Sequence, residues 1–88
     1  MNRYQYADRT AFQILDGLAV VVATRKRMVH RFDDVSTDLW KFLEPGRTVE
    51  ELVDYLVSEY DVELETAQRD MLEFVEKLYG EGLLQVMS

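Results

Sequence analysis

The chain has 88 residues, 48% apolar and 31% charged, with 17 acids against 10 bases and no cysteine. This is the balance of one small globular domain, and it excludes a disulfide scaffold, a thiol nucleophile and a thiolate metal site. The net charge of −7 is uneven: eight Lys/Arg against six Asp/Glu give +2 over residues 1–47, and two against eleven give −9 over residues 48–88, so the C-terminal half repels phosphate.

Residues 1–10 are polar apart from Tyr4 and Tyr6, and are expected to form a flexible N-terminus ahead of a domain spanning 11–88. Phe12–Leu15, Asp16-Gly17 and Leu18–Ala23 read as two strands about a two-residue turn, since Asp-Gly supplies the positive φ angles such a hairpin needs. Leu18–Ala23 is apolar on both faces, which suits a central strand. A charged connection, Thr24-Arg25-Lys26, leads to a third strand over Arg27–Phe32. There Met28, His30 and Phe32 share one face, and Val29 and Arg31 the other. As the third strand of a meander it is an edge. An edge is blunted by charge, here Arg27 and Arg31, or it accepts a partner strand.

Asp33 or Asp34 caps a short helix to about Leu43, with Val35, Leu39, Phe42 and Leu43 inward and Trp40 alongside, and Pro45-Gly46 ends it. Thr48-Val49-Glu50-Glu51 has the Thr-x-x-Glu spacing of a capping box. A second helix therefore starts at Val49 and runs to about Tyr60, with Val49, Leu52, Val53, Leu56, Val57 and Tyr60 as its apolar stripe. A third helix spans about Leu64–Tyr79 and closes on Gly80 or Gly82; Leu83–Met87 returns as a short strand. Leu64, Ala67, Met71, Phe74, Val75 and Leu78 form the core arc of the third helix, and Gln68, Leu72 and Tyr79 widen it to roughly 160°. That extension is either a broader buried face or the wall of a groove.

Signals for catalysis are nearly absent. His30 is the only histidine and has no carboxylate or second histidine at ligand spacing, and the four glycines sit at turns and helix ends rather than in a phosphate loop. No enzyme activity, cofactor or metal is expected. The longest apolar run, Leu18–Ala23, is far short of the roughly 20 residues of a membrane span, and the lack of cysteine fits a reducing, cytoplasmic setting. A hairpin beside three helices is also the part list of a winged helix-turn-helix. DNA binding or a transcription-associated role is thus the alternative reading, although the third helix carries two bases against four acids. An edge strand beside a partly apolar helix instead suits an extended peptide.

The run from Phe32 through the Trp40 helix, then Gly46-Arg47-Thr48-Val49-Glu50-Glu51-Leu52, Tyr60-Asp61-Val62 and the closing Gly82-Leu83-Leu84, resembles the PqqD family of peptide chaperones, or RiPP recognition elements. The family commonly has Leu-Asn where this chain has Phe32-Asp33; Phe still fills a core and Asp still caps a helix. The resemblance implies an α+β, winged helix-turn-helix-like fold, a three-stranded antiparallel sheet followed by three helices, without catalysis. It implies binding of the leader segment of a ribosomally made precursor peptide, by strand addition, and its presentation to a radical SAM or other modifying enzyme. No nucleic acid or membrane partner is implied, and the chain is expected to be a monomer or weak homodimer. Carried over by position, the strand contacts fall on Met28, Val29, His30, Arg31 and Phe32. The helix contacts fall on Gln68, Leu72, Val75 and Tyr79.

Overall fold

The computed structural model describes residues 2–23 and 26–87. Thr24 and Arg25 of the expected charged connection lie outside the described residues. The elements in chain order are β1 (Arg3–Tyr6), β2 (Thr10–Leu15), β3 (Leu18–Ala23), β4 (Met28–Arg31), α1 (Asp34–Phe42), β5 (Arg47–Thr48), α2 (Val49–Glu59), α3 (Leu64–Gly80) and β6 (Leu84–Val86). The class is α+β: β2-β3-β4 is the expected three-stranded antiparallel meander, and three helices follow it.

The hairpin turn forms where Asp-Gly predicts it, with Asp16 at φ 53° and Gly17 at φ 83°. Leu15 faces Leu18 across the turn, and this sets the register for the whole ladder. Thr10, Phe12 and Ile14 therefore share a face with Ala19, Val21 and Ala23, and that face continues into Met28, His30 and Phe32. Ala19, Val21, Ala23 and Phe32 are buried against the helices. The other face carries Leu15, Leu18, Val20, Val22 and Val29 and looks outward.

The starts of α1 and α2 are held by residues the sequence nominates, whereas α3 starts after Glu63 with no side-chain cap. Asp33 caps α1, its carboxylate accepting from the Ser36 N–H at 2.8 Å, and this bond holds the Asp33 carboxyl below its ordinary range. The box at α2 is complete: the Glu51 N–H donates to Thr48 Oγ1 at 3.1 Å, and the Thr48 N–H donates to Glu51 Oε1 at 2.9 Å. α3 ends in a Schellman turn at Gly82 (φ 80°), where Gly82 N–H donates to Tyr79 O and Leu83 N–H to Leu78 O. That turn sends the chain back along the molecule as β6.

The core joins the inner sheet face to Leu39, Trp40 and Leu43 of the α1 region, Leu52, Val53 and Leu56 of α2, and Ala67, Met71, Val75 and Leu78 of α3. Trp40 sits at its centre rather than alongside: Tyr6 stacks on the indole at 4.1 Å between centroids, and Phe12 and Phe32 meet it edge-on at 5.6 Å each. Val35, Val57 and Leu64, assigned inward by periodicity, are exposed. They lie at or near helix ends, where the stripe runs past the neighbouring element.

The closing strand forms as β6, within the expected Leu83–Met87, but the sheet it joins departs from the sequence reading. β1 is the centre of a three-stranded sheet in the order β5-β1-β6, pairing Arg3 with Thr48 and Tyr4 with Val86. Residues 3–6 of the expected flexible N-terminus are thus held from both sides. The Tyr6 hydroxyl donates to Trp40 O at 2.6 Å, and Arg3 donates to Gly46 O at 2.8 Å while pairing with Glu51 at 2.9 Å. Gly46 is buried with φ 89°, so a side chain there would meet both backbone strain and Met87.

Candidate functional site

β4 lies at the edge of its sheet, with no described strand on its outer side. Phe32 N–H donates to Ala19 O at 2.9 Å, and this bond sets the phase of the antiparallel ladder. His30 and Met28, two and four residues back, also turn their backbone groups toward β3. Val29 and Arg31 therefore turn their N–H and C=O outward. Two donors and two acceptors are presented at the spacing a guest strand needs.

A groove of about 420 Å³ runs beside this edge, lined by Val29, His30, Arg31 and Phe32, by Asp33 and Ser36 at the start of α1, and by Phe74, Lys77 and Leu78 of α3. Its floor is apolar, with Phe32 and Leu78 buried and Phe74 partly so. Its charges balance, Arg31 and Lys77 against Asp33 and nearby Glu81, although the chain as a whole stands at −7. The His30 ring lies on the inward face of β4 with Nε2 buried, unbonded among the described residues, and 3.9 Å from Glu81 Oε2. A guest side chain with a hydroxyl or amide would give that nitrogen a partner.

Of the strand residues expected from the sequence, Val29, His30, Arg31 and Phe32 line the groove, and Met28 stands at the start of the same edge strand. Met28 and Val29 are exposed, Val29 at 60%; Arg31 is exposed, His30 is half-buried, and Phe32 belongs to the core beneath the edge. The helix residues do not join them. Val75 is 1% exposed, packed in the core and closed to any ligand. Gln68 faces α2, in a cleft with Val49, Glu50, Val53, Asp54 and Leu64. Tyr79 meets Tyr4 edge-on at 6.3 Å and lines a different hollow with Thr10, Lys26 and Gln85. Leu72 lies between those two on the same flank, far around the helix from the groove. The wall beside β4 is Phe74, Lys77 and Leu78 instead. The correction has a simple cause: α3 has two flanks on either side of its buried face, and periodicity identifies the more apolar one without saying which one the sheet adjoins. The row Phe74, Lys77, Leu78, Glu81 was the available signal, because its 3–4 spacing brings an aromatic ring and a long aliphatic stem onto one line.

Below the groove, α1 is tied to the sheet by the buried Thr37, whose Oγ1 accepts the Ala19 N–H at 2.8 Å. It is tied to α2 by Asp38, which accepts from the Tyr55 and Tyr60 hydroxyls at 2.8 Å each. The bond to Asp38, with burial second, pushes the Tyr55 hydroxyl up to about 12; burial, with Glu44 second, does the same for Tyr6. These phenols stay protonated and structural across the physiological range. Among the described residues no group of three His, Asp or Glu side chains converges to hold a metal, and no helix is long and apolar enough to cross a membrane.

Two solved structures are similar over nearly their full lengths. One, described as TbiB1 in complex with the TbiA(beta) leader peptide, is 27% identical with a TM-score of 0.86, covering 96% of this chain and 98% of that one. The other, a lasso peptide synthetase B1 complexed with the leader peptide, is 22% identical with a TM-score of 0.82, covering 93% and 96%, and attests the fold. No curated protein sequence matches the chain. The family model described as coenzyme PQQ synthesis protein D matches residues 19–84, from the central strand β3 to the first residue of β6. That span holds the open edge, the capped helices and the groove between them, and the chain belongs to the PqqD family.

Proposed function

We propose that the protein binds the leader segment of a ribosomally made precursor peptide as an added strand on β4, with alternate side chains in the α3 groove, and presents the remainder to a modifying enzyme without contributing chemistry of its own. The observation that carries this reading is the outward-facing backbone of Val29 and Arg31 beside the groove walled by Phe74, Lys77 and Leu78. Family membership and the leader-bound relative at 27% identity support it.

The energetics explain why both edge and groove are required. Four ladder hydrogen bonds contribute roughly 2–6 kcal/mol net at about 0.5–1.5 each. Ordering a disordered segment costs about 2–5 kcal/mol. Backbone pairing therefore roughly breaks even, and affinity comes from side chains buried against Phe74 and Leu78, at about 1.5–3 kcal/mol for each aliphatic anchor. Because strand side chains alternate, the anchors are expected two residues apart in the leader. Holding the peptide near its enzyme raises the effective concentration into the mM range without any contact at the reacting bond. A radical SAM enzyme is the proposed partner class, and the protein is proposed to act as a monomer. The DNA-binding alternative is disfavoured by α3, whose exposed side carries Glu65, Glu73 and Glu76.

The test is an NMR titration of ¹⁵N-labelled protein with the leader peptide encoded beside it. Shifts are expected on Met28–Phe32 and on Phe74, Lys77 and Leu78. Shifts confined to α2 or to the hairpin turn at Asp16-Gly17 would refute strand addition at β4.

A further inference from the structure

The flank of α3 that faces away from the groove is left unused by the proposed function. Leu64, Leu72 and Tyr79 are 55%, 49% and 54% exposed, unusual values for large apolar residues within a sector of about 80° on one helix. At 100° per residue Leu72 lies about 160° around the helix from Phe74, so this flank and the groove wall face opposite ways. Acids outnumber bases around the Leu64–Leu72 part of this stripe, where Arg69 lies three residues from Leu72, while Arg9 and Lys26 line the hollow at the Tyr79 end. Glu50 and Asp54 of α2 line the cleft at the Leu64–Gln68 end, and Glu65 and Glu76 flank Leu72 on the solvent side of α3. All four are exposed, and none is ion-paired among the described residues.

We propose that this flank docks the peptide-modifying enzyme through an apolar patch bordered by lysine and arginine on that enzyme, while the leader lies in the groove on the other side of α3. The inference rests on the peptide-carrier reading for the identity of the partner. An apolar centre inside a charged rim is the anatomy of a protein interface. Four of the eleven acids of residues 48–88, Glu50, Asp54, Glu65 and Glu76, border the Leu64–Leu72 part of the stripe, and their excess over Arg69 steers a basic surface toward it. From Leu64 to Tyr79 the stripe runs roughly 22 Å at 1.5 Å per residue. With a width of about 10 Å, the helix diameter, it offers roughly a quarter of the ~800 Å² per partner of a standard interface. The contact is therefore transient and strongly salt-dependent, as befits a carrier that delivers and leaves. The groove, with balanced charges, binds leader with little salt dependence.

The experiment measures binding of the full chain to the purified modifying enzyme encoded beside it, and separately to the leader peptide, at about 0.05 and 0.5 M salt. Leu72→Lys and Glu76→Lys are each expected to weaken enzyme binding at least ~10-fold while leaving leader affinity within about twofold, and high salt is expected to slow enzyme association ~10-fold or more. Since both positions are exposed, retained leader affinity also shows that the variants fold. The proposal is overturned if both variants bind enzyme as the parent does, if salt leaves association unchanged, or if Val22→Glu on the outer sheet face abolishes binding while Leu72→Lys does not. It is equally overturned if the parent sediments as a dimer that Leu72→Lys disperses, because a second copy would then cover the stripe. Loss of leader binding in the parent would instead defeat the peptide-carrier reading, and the enzyme measurement would still decide the docking site.

Discussion

Val29→Pro isolates the backbone contribution of the β4 edge. The Val29 N–H points away from β3 and its side chain is 60% exposed on the outer face, so proline removes neither a ladder bond nor a core contact. Proline is tolerated on edge strands for this reason, and the fold is expected to lose no more than about 1 kcal/mol. A guest strand meets a different surface. One of the two outward donors is gone, and the pyrrolidine ring stands where the guest carbonyl would approach, so about two of the four edge bonds fail. At about 0.5–1.5 kcal/mol each the loss is 1–3 kcal/mol, and with tenfold per 1.4 kcal/mol the dissociation constant rises ~5- to 150-fold. Calorimetric titration with the leader peptide, beside a thermal melt of each protein, reads both quantities. His30→Pro serves as the contrast, because its N–H points into the ladder toward Val21 and its loss destabilises the sheet itself. A folded Val29→Pro protein that binds leader within twofold of the parent would refute strand addition.

Two further outcomes are expected. Phe74→Ala, which trims the groove wall, should weaken leader binding about tenfold, whereas Leu72→Ala on the opposite flank should leave it within about twofold; the reverse order would restore the flank chosen from periodicity. Glu51 is held below its ordinary carboxyl range of about 4.5, first by the Thr48 N–H and then by Arg3 and Arg47, so it contributes stability that is present above 4.5 and lost as pH falls through its lowered value in the folded state. Glu51→Gln keeps an acceptor for the Thr48 N–H and, with the ion pairs partly exposed, should cost less than about 1 kcal/mol at pH 7 while flattening the fall in melting temperature between pH 5 and 3; an unchanged acid profile would show that the box does not titrate.

What could be read from the sequence was local. The Asp16-Gly17 turn, the Asp33 cap and the Thr48-to-Glu51 box each close within four residues, so their chemistry is written in consecutive letters. The meander and its edge followed from the turn, because a two-residue hairpin fixes register and register assigns every face. The second sheet had no such signature. Its ladders join Arg3 to Thr48 and Tyr4 to Val86 over two or three residues each, and a two-residue strand such as Arg47–Thr48 has no period to detect. Trp40 was misplaced for a related reason: Tyr6, which stacks on it, comes from the stretch that looked too polar to pack.

The groove wall shows a second kind of limit. A helical pattern measures how wide the apolar arc is, and the arc of α3 is indeed wider than its core contact requires: Ala67, Met71, Val75 and Leu78 are buried, yet Leu72 and Tyr79 remain open. Which edge of the arc meets the sheet is settled elsewhere, by the Gly82 turn that carries Leu83 and Leu84 back against β1 and by the Tyr4 ring that settles beside Tyr79. With β1 and β6 occupying that end of the molecule, β4 adjoins the other flank, where Phe74, Lys77 and Leu78 form the wall. The surplus apolarity that first suggested a peptide groove therefore does not serve the groove. It sits on the side of α3 bordered by Glu50, Asp54, Glu65 and Glu76, whereas at the groove Arg31 and Lys77 stand against Asp33 and Glu81. A neutral cleft suits a peptide read by its backbone and apolar anchors, and an acidic greasy flank suits a larger basic surface. On the proposed reading, one amphipathic helix with two unequal flanks holds a substrate and its enzyme at once without either contact obstructing the other.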